Sequence, residues 1–235
     1  MSRSFDGVDD LINCGTTVPT LNNGCTGIAW INAVDAGEGG TGRIFQKHTG
    51  SSARGHIAFS VATATIGISF TFNGGVNNSD LRAVDNSIIF GKWEAIAFTF
   101  DGTATASNHH IYINLKEPAY KLVTNGSGSI ETDVDNQFWI GNRTGTDRTF
   151  KGKIAYAQMF NVQLQLSEIT QATYFPGSIR RGLIGFWPLW GSSLTESDLS
   201  GLKNNGAVTG ALSSLINPQI NGIFQVPKPE LIGSF

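Results

Sequence analysis

The chain has 235 residues, with 29 glycines, 10% aromatic residues, only 14% charged residues and a formal net charge of -2. Glycine supplies the positive φ that tight turns need, so this balance points to many short strands joined by turns, whereas helix-rich domains carry more Glu, Lys and Leu. So small a net charge gives no large single-sign field toward phosphate backbones or anionic lipid, and neither nucleic acid nor a membrane surface is an expected partner.

Residues 1–10 already contain Arg3, Asp6, Asp9 and Asp10, which excludes the apolar core of a signal peptide there. No later stretch reaches the length of a membrane span. The chain is therefore expected to be made in the cytoplasm and to act in a virion, or outside the cell, as part of an assembly. At this size it buries enough surface to fold without a metal or disulfide staple. Cys14 and Cys25 lie near the ends of successive expected strands and could face each other. Cytosolic disulfides are uncommon, so they are read as buried or half-buried thiols, and neither their number nor their spacing suggests zinc.

Apolar and polar residues alternate along short runs: Ile57 to Val61, Ile66 to Phe72, Trp93 to Phe100, His110 to Ile113, Phe138 to Ile140 and Ile154 to Phe160. A period of two is the mark of half-buried strands. Asn73-Gly74-Gly75, Asp101-Gly102, Asn125-Gly126 and Gly141-Asn142 supply turns between them. One helix is expected near 166–175, with Ser167 as N-cap, Glu168 in the first turn and Pro176-Gly177 as its stop. A strand from Leu183 to Leu189, a polar loop from Gly191 to Gly206 and a short strand near Ala207 follow. The tail from Ser213 to Phe235 combines Pro218, Pro227 and Pro229 with an apolar series that includes Ile220, Phe224, Leu231 and Phe235. Proline disfavours helix and sheet interior, so the tail is read as an extended arm docking on its own domain or on a neighbour. The domain proper then spans 1–212.

Ser4-Phe5-Asp6-Gly7-Val8-Asp9-Asp10, Thr26-Gly27-Ile28-Ala29-Trp30-Ile31, Phe45-Gln46-Lys47 and the run from Gly91 to Gly102 follow one another in order. Next come Ile111-Tyr112-Ile113-Asn114, Phe138-Trp139-Ile140-Gly141, and Phe150 to Ala155 leading to Leu166-Ser167-Glu168-Ile169. Together these runs resemble the laminin-G-like, concanavalin A-like jelly-roll family over about residues 4 to 175. Gly182 to Leu189, with Leu199-Ser200-Gly201 and Asn204-Asn205-Gly206, is similar to a family element that closes the domain in phage-type and environmental versions. The resemblance implies an all-β, two-sheet antiparallel sandwich with one short helix, closed by residues 182–212 and followed by the arm. It also implies roles in glycan binding, adhesion or accessory structure, so the site has to be argued separately.

Glycosidases on related jelly rolls carry Glu-x-Asp-x-x-Glu on one strand, because acid and nucleophile must flank one bond. The near match Glu131-Thr132-Asp133-Val134-Asp135-Asn136 ends in an amide and is read as a solvated turn, with no catalytic pair. His48, His56, His109 and His110 show no ligand or triad spacing and are read as surface or strand-edge residues. Pentraxin-like relatives would take calcium ligands just after the strand at Phe138, where this chain has Asn142-Arg143-Thr144-Gly145 and then Asp147. Asn142, Asp147 and Asp101 are thus the metal candidates, with Asp6 and Asp9 as alternatives, and otherwise no cofactor is expected. Glycan contact needs an exposed aromatic: Trp30 and Trp93 are expected in the core, leaving Trp190, Trp139 and Trp187. Trp190, followed by Gly191 and a polar loop, is the leading candidate. The expected function is a non-catalytic recognition or assembly module. First in order is a structural or decorating component of a phage-like virion, homo-oligomeric or bound to capsid or tail proteins. The alternative is a glycan-binding adhesin, and a glycoside hydrolase comes last.

Overall fold

A computed structural model describes residues 1–48, 57–72 and 77–220. The turn Asn73-Gly74-Gly75, His56 and the arm residues Phe224, Leu231 and Phe235 lie outside the described residues. In chain order the strands are β1 (Ser2–Asp6), β2 (Leu11–Asn13), β3 (Cys25–Ala33), β4 (Gly42–His48), β5 (Ile57–Ala62), β6 (Thr65–Phe70), β7 (Ser79–Ala83) and β8 (Glu94–Phe100). They continue as β9 (His110–Ile113), β10 (Tyr120–Thr124), β11 (Gln137–Ile140), β12 (Lys151–Phe160), β13 (Leu183–Trp187), β14 (Thr195–Glu196), β15 (Gly206–Thr209) and β16 (Leu212–Ser214), with helix α1 (Leu166–Tyr174) between β12 and β13.

Two antiparallel sheets face each other, as the strand alternation requires. One has seven strands in the order β16-β1-β12-β3-β8-β9 with β13 also on β12, and the other has nine in the order β10-β7-β6-β5-β4-β11-β2-β15-β14. Phe5, Ile31, Phe98, Phe100 and Ile154 from the first meet Ile12, Phe45, Phe70, Phe138 and Ile140 from the second in one core. Phe70 stacks on Phe100 with centroids 3.8 Å apart, and Phe45 stacks on Phe138 at 5.8 Å. Each such side chain stabilises the sandwich by about 1.5–3 kcal/mol through burial.

The expected strands form, with shifted ends: β12 begins at Lys151, and the loop from Gly191 to Gly206 contains β14. The helix forms too, but its cap is Gln165, not Ser167. The Gln165 N–H donates to Glu168 Oε2 at 2.9 Å, and Arg181 clamps the same carboxylate from outside. The helix covers the outer face of the seven-stranded sheet, where Ile169 and Ala172 pack with Ile28, Phe160, Leu183 and Phe186 in a second, small core. Trp30 lies under it, half-buried, its indole N–H donating to Thr173 O at 3.3 Å; Trp93 is half-buried as well. Neither belongs to the main core.

Three further expectations change. Asp133 is not in a solvated turn: it is fully buried, 3.0 Å from Lys47 Nζ, and accepts hydrogen bonds from Thr20 Oγ1 and the Leu21 N–H. Burial pushes the Lys47 amine below its usual range, and Asp133 opposes that shift. His109 is 1% exposed and sits between Phe70 and Phe100, not at the surface. Finally, β16 pairs with β1 and carries the sheet past residue 212 into the stretch read as the arm. Cys14 and Cys25 are buried free thiols, and burial raises the pKa of both.

Candidate functional site

One candidate site grows from the end of β13. Leu183 to Trp187 is buried throughout, and after Pro188 the chain turns at Leu189, which holds the left-handed conformation (φ 60) while fully buried. A non-glycine residue in that region costs about 1–3 kcal/mol, sustained here by anchoring the side chain in the core. The next residue is thereby turned outward: Trp190 is 48% exposed. A bulge in β12 sends Tyr156 (φ 52) against it, edge to face at 6.5 Å.

Trp190 walls a cavity of about 110 Å³ lined with Pro188, Gly191, Ser193, Thr195, Glu196, Ser197 and Leu199. At its base Glu196 and Arg3, each 2% exposed, form a buried ion pair at 3.0 Å. Arg3 also donates to Ala211 O (3.0 Å) and Ser193 O (2.7 Å), so its charge is held on three sides. Gly191 opens the way to this pair: a Cβ there would stand 3.2 Å from Glu196 Oε2 and 3.4 Å from Arg3 Nη2. Thr195 and Ser197 are exposed. The cavity is small beside the 300–1,000 Å³ of typical enclosed ligand pockets. It is a shelf with an aromatic wall, hydroxyls and a carboxylate, suited to the apolar face and hydroxyl edge of a sugar ring.

The wall is held by Asp198, whose carboxylate accepts from the N–H groups of Phe186, Ser200 and Asn204 at 2.8–2.9 Å and from Ser200 Oγ at 2.7 Å. Asn204 in turn donates to Ile184 O. The closing element of residues 182–212 thus serves as the scaffold of the shelf.

The other two tryptophans are not contact residues of this kind. Trp187 is fully buried, stacked on Phe138 at 5.4 Å, with its indole N–H donating to Asn204 O at 2.7 Å. Trp139 is 7% exposed and turned to the outer face of the nine-stranded sheet. Register sets Trp139 beside Asn13 on one side and Gln46 on the other; Gln46 pairs with Ala58, Ala58 with Ser69, and Ser69 with Asp80. Within this one transverse row Trp139 Nε1, both amide atoms of Gln46 and Ser69 Oγ are closed off from solvent without a hydrogen-bond partner. Such groups cost about 1–3 kcal/mol each. The next row holds Arg43, Ser60, Gly67 and Arg82 in register. Arg43 is pushed down to about 10, first by burial and then by the neighbouring charges of Arg143, Arg148 and Arg82.

The loop after β11 and the turn at Asp101 do not fit calcium. Asn142 is fully buried and spends its amide inside the loop, donating to Asp10 O and Thr149 Oγ1 and accepting from the N–H groups of Arg143 and Arg148. Asp147 is taken by the Arg143 guanidinium at 2.6 and 2.7 Å, which holds its carboxyl below the usual range. A guanidinium thus neutralises the acid expected to hold the ion. Asp101 closes its own turn, accepting from Thr103 and from Asn108 Nδ2. Asp6, Asp9 and Asp10 bring carboxylate oxygens within 4.8 Å of one another, but Asp6 and Asp10 accept the N–H groups of Val8 and Asp6 as turn formers.

The sequence marked Trp190 as an exposed candidate, and it is 48% exposed; Arg3, Glu196, Tyr156 and the row at Gln46 were not marked. A bulge, an ion pair 193 positions apart and a sheet register leave no local signal. Among the described residues no helix is long and apolar enough to cross a membrane.

Comparisons with known proteins agree with this fold. A protein of Bacteroides ovatus assigned provisionally to carbohydrate binding superposes with a TM-score of 0.60 at 17% identity, over 89% of this chain and 58% of its own. This chain therefore spans little more than half of that protein. The heptameric SAP-like pentraxin of Limulus polyphemus matches at TM-score 0.52 and 15% identity, over 90% of this chain and 94% of its own. The CBM40 domain of the Ruminococcus gnavus IT-sialidase, solved with α2,3-sialyllactose, matches at TM-score 0.51 and 14% identity, over 74% and 97%. No curated protein matches the sequence. A laminin-G-type family model described as the concanavalin A-like lectin/glucanases superfamily matches residues 6–170, most of the sandwich. The chain belongs to that superfamily.

Proposed function

We propose that this protein is a non-catalytic carbohydrate-recognition module that takes a sugar ring on the shelf beside Trp190. The observation that carries the reading is the half-exposed indole set over hydroxyls and the Glu196 carboxylate around a small open cavity. The indole face covers the apolar face of the ring, and Thr195, Ser197 and Glu196 meet its hydroxyls. The ion pair with Arg3 fixes the Glu196 carboxylate at the base of the shelf, oriented as a hydrogen-bond acceptor. Carbohydrate-binding assignments among the structural neighbours support the same class.

The test is a glycan array read with purified protein and with Trp190→Ala, both in EDTA. Binding that survives the chelator and falls at least about tenfold in the variant is expected, as for an aromatic anchor of a small interface. Silence across a broad panel, or equal binding by the variant, removes this reading.

Assembly is the second reading, favoured by the apolar residues at the end of the described chain. Leu212, Leu215 and Ile216 are 72%, 87% and 57% exposed.

A further inference from the structure

The Trp190 shelf adjoins the outer face of the seven-stranded sheet, where a row of polar side chains is open to solvent. Phe5, Ala29, Ile31 and Ile154 point into the main core, so the pleat turns Ser4, Trp30, Asn32 and Lys153 outward. Helix α1 and its small core lie to one side of Trp30, over Ile28 and Phe160, and Thr173 near the end of the helix accepts the Trp30 N–H. To the other side one transverse row carries Asn32, Lys153, Ser4 and Leu212 in register. Asn32, Lys153 and Ser4 are half-buried and Leu212 is exposed, so solvent reaches all four. Lys151 on the same strand is paired with Asp35 at 3.0 Å, whereas Lys153 has no ion-pair partner among the described residues. Asn32 Nδ2 donates to Gly91 O at 3.2 Å, which leaves its oxygen to accept. Tyr156 stands between this row and the shelf: it is half-buried, packs on the outer core and meets Trp190 edge to face. Its hydroxyl has no hydrogen-bond partner among the described residues. Along β12 the step from Tyr156 to Lys153 is about 10 Å.

We propose that the glycan taken on the Trp190 shelf is an acidic oligosaccharide, which passes over the Tyr156 hydroxyl and sets a carboxylate against Lys153, with Asn32 Oδ1 and Ser4 Oγ meeting the neighbouring hydroxyls. This rests on the shelf being a sugar site and names the class of sugar chain it takes. A half-buried ammonium with no protein carboxylate beside it, set between an amide oxygen and a hydroxyl, matches an oxyanion flanked by sugar hydroxyls, and partial desolvation strengthens that charge-assisted hydrogen bond. At the shelf itself the Arg3 guanidinium is already engaged by Glu196 and by two carbonyls. The ring on Trp190 is therefore a neutral one, and the acidic unit lies at the Lys153 end. The distance between the two ends requires more than one ring.

The full chain, Trp190→Ala, Lys153→Gln, Lys153→Arg and Lys116→Gln are titrated with 3′-sialyllactose, hyaluronan hexasaccharide and tetragalacturonate, each beside its carboxyl-methylated form, and with inorganic tripolyphosphate. Lys116 is exposed and follows edge strand β9, away from β1 and β12, so its variant controls for net charge. The wild type is expected to bind at least one of the three acids at least about fivefold more tightly than its methyl ester. Lys153→Gln brings the acid down to the affinity of the ester and leaves the ester unchanged, while Lys153→Arg and Lys116→Gln keep the wild-type preference. Equal affinity of the wild type for acid and ester overturns the proposal. So does an unchanged preference in Lys153→Gln, an equal loss in Lys116→Gln, or tripolyphosphate binding as tight as the acid. If Trp190→Ala abolishes binding of acid and ester alike while Lys153→Gln alters neither, the shelf stands and this inference fails; silence toward every saccharide removes both.

Discussion

His109 shows what burial does to a single residue. Its Nδ1 and Nε2 lie 3.1 Å from Ser79 Oγ and Thr103 O, so the neutral ring donates from Nε2 to the carbonyl and accepts at Nδ1 from the hydroxyl. Burial lowers the pKa below 6.5, and the Thr103 carbonyl and Asp101 at 3.8 Å only partly oppose this. A histidine with a depressed folded-state pKa binds its proton more readily when unfolded. Stability is therefore lost as pH falls below about 6.5, by at most about 1.4 kcal/mol per pH unit. Urea unfolding of wild type and His109→Gln between pH 7 and 5 is expected to show the steeper decline in wild type, and parallel curves would contradict it. The residue was legible in sequence only as the first half of His109-His110. Its burial was not, because the strand alternation does not reveal that the turn before β9 folds under Phe70 and Phe100.

At the scale of elements, the loop joining β13 to β15 depends on one carboxylate. Asp198 accepts four hydrogen bonds, two of them from the N–H groups of Phe186 and Asn204 in the buried interior. Asp198→Ala leaves those donors unmatched, which costs about 2–4 kcal/mol and releases the wall of the Trp190 shelf. Differential scanning calorimetry is expected to show a clearly lowered Tm, with Asp198→Asn intermediate because its amide oxygen still accepts; an unchanged Tm in the alanine variant would refute the scaffold role. The motif residues Leu199-Ser200-Gly201 and Asn204-Asn205-Gly206 announced this element in the sequence. Its purpose became visible only through Asp198, whose partners lie on both sides of the loop. The loop after β11 is the reverse case: the sequence offers Asn142 and Asp147 as metal ligands, and the structure bonds the guanidinium of the intervening Arg143 to that acid.

For the whole molecule the open question is whether the sandwich works alone. Residues 1–220 contain both sheets, the helix and the shelf, so a chain ended after Ile220 is expected to unfold in one cooperative transition and to retain Trp190-dependent binding. Light scattering on the full and shortened chains tests the arm: the assembly reading expects a lower mass on shortening, and equal masses remove it. The sequence by itself determined the all-β class, the two-sheet sandwich, the helix and the exposed Trp190, because alternation, turn residues and ordered motifs are local and repeat along the chain. Tertiary structure alone decided that Trp187 and Trp139 are covered, that Asp133 meets Lys47 and Glu196 meets Arg3, and that the charges of Arg143, Arg148 and Arg82 bear on Arg43. Those outcomes depend on strand register and on contacts between distant segments, and a residue's own neighbours in the chain carry no record of either.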